Sequence, residues 1–245
     1  MRLGYGAIFA DAGSLWRSEH GVLVPVAGIF FFLPVFALLL FLPVADTRGL
    51  AEEAARAAEV AQMTRNLPWL FGQIVVQAFG AAVVLQLLLD PDRPQVGAAI
   101  VRAVRLLPGL LAAQIIAFAA IALGLLILIV PGLYLMGRTF ITSPIYVAEP
   151  GRGPAGAAIL SFERTHGNGW VLFAVSFTVS AVNYLLGSIA QQATLTLLAS
   201  GPSVTIPFDA GVSVLAAACV LAMVLLQAAA YRALPVPKTG PKTGM

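Results

Sequence analysis

The sequence predicts an all-α, polytopic membrane protein with about six transmembrane helices. Hydrophobic residues make up 60% of the 245-residue chain, charged residues make up 10%, and the mean hydropathy is +0.93. Soluble domains carry about 25% charged residues. A spanning helix needs about 20 apolar residues, and uncharged runs of at least that length recur along the chain. These runs are residues 21–45, 66–89, 106–137, 165–208 and 210–231.

The spans follow when the longest runs are divided at their Pro and Gly residues. A single membrane domain is predicted over residues 1–233, followed by a Pro- and Gly-rich, disordered cytoplasmic tail over residues 234–245. The fourth span is short and contains Arg138, the one charge between Arg105 and Glu149. The predicted spans are residues 22–43, 68–89, 109–130, 132–148, 170–189 and 211–231.

Three short amphipathic helices are predicted, one ahead of each pair of spans. The sequence Gly-Ala-Ala-Ile opens the second and third helices, at Gly97 and Gly156. We expect these helices either to lie in the cytoplasmic interface with their apolar faces in the lipid, or to be connectors packed on the spans. Each is predicted to end at a glycine, and these glycines are Gly21, Gly109 and Gly167. The apolar stripe of the second helix consists of Val96, Ile100, Val104 and Leu107.

The segment of residues 49–63 has a different character, because it is rich in alanine and charged residues. Glu52 and Arg56 have the i,i+4 spacing of a helical ion pair. The segment is predicted to be a solvated extracytoplasmic helix, and the alternative is a face on which a partner docks.

Loop charges predict the orientation of the chain in its membrane. Cytoplasmic loops carry an excess of Lys and Arg, and the side with three basic residues, Arg48, Arg56 and Arg65, is therefore expected to be extracytoplasmic. Both termini are then cytoplasmic. The first apolar run is longer than a signal-peptide core, so it is expected to remain as an anchor. Abundant Ala, Gly and Arg suggest a bacterial origin, and hence the inner membrane. The opposite, cytoplasmic side carries Arg2, Arg17, Arg93, Arg102, Arg105, Arg152, Arg164, Arg232, Lys238 and Lys242.

Arg138 is the first candidate ligand-binding residue. A guanidinium within a span costs roughly 2.5–3.5 kcal/mol on insertion scales, so it requires a partner or a ligand. Three interpretations are open: pairing with a carbonyl or a Gln side chain, contact with lipid phosphate, and a substrate site. Because no Asp or Glu lies inside any predicted span, a carboxylate is not expected to balance this charge.

Gln73, Gln77 and Asn183 are the other candidate ligand-binding residues. Gln73 and Gln77 are one helical turn apart and share a face. Such side chains form hydrogen bonds between helices that contribute about 0.6 kcal/mol each. The alternative is that some of them line a polar cavity in which Arg138 attracts an anion.

The sequence offers little for catalysis or metal binding. His20 and His166 lie on separate loops and Cys219 is distant from both, so no metal site and no cofactor are predicted. No zinc-protease, thiol-redox, serine-hydrolase or P-loop motif is present. Asp90 and Asp92 are interpreted either as a turn that opens a helix or as a metal or phosphate site.

Residues 128–170 contain two connected motifs. The first is Ile129-Val130-Pro131-Gly132-Leu133-Tyr134 followed by Arg138. The second starts at Glu149 and continues with Ala157-Ala158, Ser161-Phe162, Arg164-Thr165, Gly167-Asn168 and Trp170. Together they resemble the YciC-like and glycerophosphodiester phosphodiesterase membrane-domain family, except at Glu163-Arg164, where a more basic helix is usual. The resemblance implies a multi-pass inner-membrane protein, and in some relatives a membrane module fused to a phosphodiesterase domain. No such catalytic domain is found in this sequence.

These features predict a non-enzymatic membrane protein that acts in membrane or lipid homeostasis, or that handles a lipid or hydrophobic cargo. The expected partners are membrane lipids, anionic ones included, and there is no nucleic-acid signature. The alternative is an accessory subunit or assembly partner of another membrane complex, which would use small-residue faces such as Ala113 and Ala117. A third possibility is an enzyme embedded in the membrane.

Overall fold

The computed structural model describes residues 3–42, 49–92, 94–197 and 202–234, and these residues fold almost entirely into helices. A π-helical turn, Gly28–Phe32, joins α1 to α2, and a 3₁₀ turn, Pro150–Arg152, precedes α7. The helices are α1 Tyr5–Ala27, α2 Leu33–Phe41, α3 Glu52–Leu89, α4 Val96–Ile127, α5 Ile129–Arg138, α6 Thr142–Ala148, α7 Gly153–Arg164, α8 Gly169–Leu197 and α9 Pro202–Ala233.

The predicted all-α membrane fold is confirmed. In the part of the chain that the structure describes, five helical segments are long and apolar enough to cross a membrane. The predicted disordered tail lies outside the described residues, except for Leu234. The five segments are Tyr5–Phe41, Glu52–Leu89, Val96–Ile127, Gly169–Thr194 and Val204–Ala233.

The chain divides into two compact units. Unit 1 contains residues 1–20, 82–178 and 223–245, and unit 2 contains residues 21–81 and 179–222. Helices α1, α3, α8 and α9 each contribute residues to both units.

Two of the three predicted amphipathic helices are not separate elements. Helix α1 continues through Gly21, and α4 continues through Gly109. A glycine inside a long apolar run does not end a helix if the residues beyond it keep the helical hydrogen bonds. Gly109 instead allows close packing, because a Cβ there would lie 1.8 Å from the hydroxyl of Tyr146. The third helix ends as predicted: α7 stops at Arg164, and Gly167 follows with φ +78°.

The buried face of α4 differs from the predicted apolar stripe. Val104 is 57% exposed, whereas the alanines at 99, 103 and 113 are fully buried. Alanine lets neighbouring helices approach closely, and large apolar side chains are free to face lipid. Ala113 is therefore part of the protein's own core.

The fourth predicted span is divided between two short helices, α5 and α6, with a turn at residues 139–141. The chain reverses direction at Leu128, whose backbone is extended. Gly132 of α5 then packs on Gly124 of α4, and Tyr146 of α6 packs on Gly109. At 1.5 Å per residue, Gly124 and Gly109 are about 22 Å apart along α4. The segment therefore returns along about half of the 32-residue α4 despite its break.

Unit 2 contains segment 49–63, whose residues from Glu52 onward form the first turns of α3. The predicted ion pair is present, with Arg56 and Glu52 2.6 Å apart and both side chains exposed. Further along α3, the π-helical turn packs directly against Gly80. A Cβ at Gly80 would lie 2.4 Å from the Cβ of Phe30, so this close packing requires a glycine. This contact holds the first span against α3 within unit 2.

Candidate functional site

Three of the four candidate residues lie together in unit 2. Gln73, Gln77 and Asn183 line one cavity of about 480 Å³, which we call the polar cavity. Gln73 and Gln77 belong to α3, where their spacing puts both side chains on one face. Asn183 belongs to α8. Gln191 and Thr194, about two turns and one turn from the end of α8, add an amide and a hydroxyl.

Asp209 of α9 also lines this cavity. The residue is 6% exposed and lies within the apolar segment Val204–Ala233. The last predicted span begins at residue 211, whereas α9 begins at Pro202, so Asp209 belongs to the same helix as that span. The sequence did contain a signal, since Asp209 is the one charged residue between Arg164 and Arg232.

The remaining lining of the polar cavity is apolar or small. Asn183 and Gln191 are exposed, so the cavity is open on that side. Mostly apolar walls with a few convergent polar groups are typical of sites for small organic ligands. These other lining residues are Val35, Leu39, Leu186, Gly187, Ala190, Val212, Ala216 and Val220.

A second cavity in unit 2 adjoins the first at Gln73, which lines both. It has a volume of about 520 Å³ and runs between α2 and α3. Arg65 and Asn66 lie in its lining together with Trp69. The rest of this groove is apolar or small: Pro34, Ala37, Leu38, Phe41, Leu42, Gly72 and Val76.

Arg138 belongs to unit 1 and is not among the described residues that line either cavity. Its guanidinium donates a hydrogen bond of 3.0 Å to the hydroxyl of Tyr134 and another to the carbonyl oxygen of Phe162. The guanidinium carbon also lies 5.5 Å from the ring centre of Tyr134 and 5.6 Å from that of Phe162. Both distances suit cation–π attraction. Of the three interpretations, the observed contacts match pairing with a carbonyl.

The backbone carbonyl of Arg138 also has hydrogen-bond partners within the protein. Arg138 is the last residue of α5, where the helix dipole favours a cation. Its carbonyl oxygen accepts hydrogen bonds from the hydroxyls of Ser161, at 2.7 Å, and Thr165, at 3.1 Å. Irregular backbone at membrane depth is tolerated where protein groups satisfy it. Helix α7 thus supplies partners to the break between α5 and α6.

A second charged cluster in unit 1 centres on Glu149, and its pairing was not predicted from the sequence. Arg152 and Arg164 both donate to the Glu149 carboxylate, and the hydroxyl of Tyr231 donates to it at 3.1 Å. The Arg164 side chain is only 1% exposed, and its guanidinium carbon lies 5.2 Å from the Tyr231 ring centre. Local sequence spacing does not predict this cluster, because Arg164 lies 15 residues and Tyr231 lies 82 residues from Glu149.

Burial of Glu149 favours its neutral form, but its hydrogen bonds to Arg152 and Arg164 outweigh that effect, together with the charge of Arg164 and the Tyr231 hydroxyl. The net result is that the pKa of Glu149 lies below its ordinary value of 4.5. The carboxylate is therefore charged at neutral pH and acts as the counter-charge of a buried arginine.

The turn at Asp90 matches the first of its two interpretations. Its carboxylate accepts a hydrogen bond from the backbone N–H of Asp92 at 3.0 Å and pairs with Arg102. This is a side-chain turn that precedes α4. Among the described residues, no group of three or more His, Cys, Asp or Glu side chains is placed to hold a metal ion.

Comparisons of the chain with protein-family models, with curated proteins and with solved structures give no match.

Proposed function

We propose that this protein binds an amphipathic molecule, a lipid or another hydrophobic cargo, in the two adjoining cavities of unit 2. The observation that carries the proposal is the chemical difference between the cavities on either side of Gln73. The groove between α2 and α3 is mainly apolar, and the polar cavity offers amides, a hydroxyl and one carboxylate. An amphipathic molecule has the same division between its chain and its polar head.

The sizes of the cavities agree with such a ligand. Sites for small organic molecules have volumes of about 300–1,000 Å³, and the two cavities measure about 520 and 480 Å³. The described polar lining residues can bind a headgroup through hydrogen bonds.

The clusters of unit 1 have a supporting role in this proposal. The residues that carry the resemblance to the YciC-like group include Arg138, Ser161, Phe162 and Thr165, which hold α5 to α7. Glu149 and Arg164, from the same stretch, form the second cluster. We therefore propose that this motif stabilises a broken membrane crossing, and that membership of that family accounts for it.

We also propose a location in a bacterial inner membrane with both termini in the cytoplasm. The return of α5 and α6 along α4 adds a sixth crossing to the five long segments. An even number of crossings puts both termini on the same side, in agreement with the loop charges.

The proposal is tested by filling each cavity and measuring bound lipid. Gly72 lines the apolar groove and Gly187 the polar cavity, and a Cβ at either position would meet no atom within 4 Å. Gly72→Phe and Gly187→Phe should therefore fold while occupying the space of the ligand. Native mass spectrometry of protein purified in a mild detergent should show a lipid-sized adduct on the wild type that is at least tenfold less abundant on both variants.

Gly211→Phe is the matched control. Gly211 is exposed on α9, also has open space at its Cβ, and is not among the described lining residues of either cavity. It should keep the adduct. The proposal is contradicted if the wild type carries no adduct, or if the three variants retain it equally.

A further inference from the structure

We propose that the polar cavity of unit 2 binds a protonated amine, and that Asp209 is its counter-charge. The inference rests on the proposed function, because it assigns the chemical class of the head of the amphipathic ligand. The Asp209 carboxylate is buried, and burial of a charged side chain is energetically unfavourable.

In its charged form, the Asp209 carboxylate is stabilised by a positive partner. An acidic residue inside a membrane segment costs several kcal/mol and marks a functional site by default. Asp209 is 6% exposed, and the described residues that line its cavity include no Lys, Arg or His. The hydrogen bond from Ser213 at 2.7 Å goes to the backbone carbonyl of Asp209 and leaves its carboxylate charge unbalanced. The positive charge is therefore expected from a ligand.

The surrounding polar groups suit an ammonium group. An ammonium has three N–H donors and no acceptor, so a complete site needs a carboxylate and neutral oxygens around it. Asp209 supplies the carboxylate, and Gln73, Gln77 and Asn183 can supply amide oxygens. An anionic head in the same cavity would be repelled by Asp209.

The volume of the cavity favours an organic cation over a metal ion. A bare Ca²⁺ or Mg²⁺ ion is held by six or more oxygens at about 2.0–2.6 Å. A cavity of about 480 Å³ with Val35, Leu39 and Val220 in its wall is far larger and more apolar than such a site. These side chains fit the methylene groups next to the amine.

The test uses octylamine, 1-octanol and octanoate, which share one chain and differ in their heads. Octylamine is protonated at pH 7, like a lysine side chain. Isothermal titration of the wild-type protein in a nonionic detergent should give an affinity for octylamine at least tenfold higher than for 1-octanol. Octanoate should bind more weakly than 1-octanol. The preference for the amine should disappear in Asp209→Asn, which keeps the shape of the side chain.

Two further variants complete the design. Glu59→Gln removes an exposed carboxylate of α3 in the same unit and should leave the amine preference unchanged. Gly187→Phe keeps Asp209 but fills the cavity, and it should weaken the binding of octylamine and 1-octanol alike. This variant tests the location of the site even if Asp209→Asn does not fold.

The inference is overturned if octylamine and 1-octanol bind the wild type equally, or if Asp209→Asn keeps the amine preference. In both cases 1-octanol still binds, so the proposed function stands. If neither compound binds the wild type and no lipid adduct is found, the proposed function itself fails.

Discussion

At the scale of single residues, Arg138 and Asp209 differ in the partners that the protein supplies. Of the three interpretations of Arg138, the contacts match the first, since its guanidinium is hydrogen-bonded to Tyr134 and to the carbonyl of Phe162 within the protein. Its predicted contact with lipid phosphate stays a prediction. Asp209, which the sequence analysis did not single out, is buried and lines the same cavity as Gln73 and Gln77. A sequence shows that a charge lies in an apolar run but not which side chains surround it.

Arg138→Lys separates a positioning role from a charge role. Lysine keeps the charge but lacks the planar fork that reaches Tyr134 and the Phe162 carbonyl together. We expect a loss of about 1–3 kcal/mol of stability, the range for a broken buried hydrogen bond, measured by thermal unfolding in detergent. Arg56→Lys, in an exposed ion pair, should change stability by at most about 0.5 kcal/mol. An unchanged unfolding temperature for Arg138→Lys would favour the charge role.

Protonation of Glu149 is expected to lower the stability of the folded protein at acidic pH. Because its pKa is lowered by folding, its contribution to stability is complete above the ordinary pKa of 4.5 and is lost as the pH falls through the lower folded value. Glu149→Gln should be clearly less stable than the wild type at pH 7, since buried Arg164 loses its counter-charge. The difference should shrink as the pH is lowered from 5 to 3. Thermal unfolding of both proteins between pH 5 and pH 3 measures this change. A stability difference that is constant with pH would exclude the charge interaction between Glu149 and Arg164.

At the scale of elements, glycines that were expected to end helices instead bring helices together. The sequence correctly located the apolar blocks and the Pro-Gly break before the fourth span. It did not show that α1 and α4 are continuous, because a glycine in a helix can serve as a terminus or as a packing surface. The choice at Gly109 depends on Tyr146, which is distant in the sequence.

Gly137 provides the sharpest test of this packing. A Cβ there would lie 1.9 Å from the backbone oxygen of Gly169, where α5 meets the start of α8. Gly137→Ala must therefore move backbone, and we expect a loss of about 1–3 kcal/mol in thermal unfolding. In Gly13→Ala the new Cβ would meet no atom within 4 Å, inside α1 of the same unit. This control should be neutral or stabilising by about 0.5–1 kcal/mol. Equal effects of the two changes would contradict the close approach of α5 and α8.

At the scale of the whole molecule, composition and run length were enough to predict an all-α, multi-pass membrane protein. The fold class and the membrane location depend on the hydrophobicity of each segment, and hydrophobicity is a property of the local sequence. The candidate site was predicted in part: Gln73 and Gln77 share a face by helical spacing, but their meeting with Asn183 and Asp209 depends on how α3, α8 and α9 pack. Contacts between residues more than 100 positions apart leave no local pattern.

The central claim is that the adjoining cavities of unit 2 hold an amphipathic ligand, and anomalous diffraction tests it most directly. Crystals grown in a lipid phase would be soaked with an octylamine brominated at the end of its chain. We predict a bromine peak inside the cavities that meet at Gln73, with electron density for the amine beside Asp209. Bromine peaks confined to the outer surface of the helices, with both cavities free of the compound, would contradict the account.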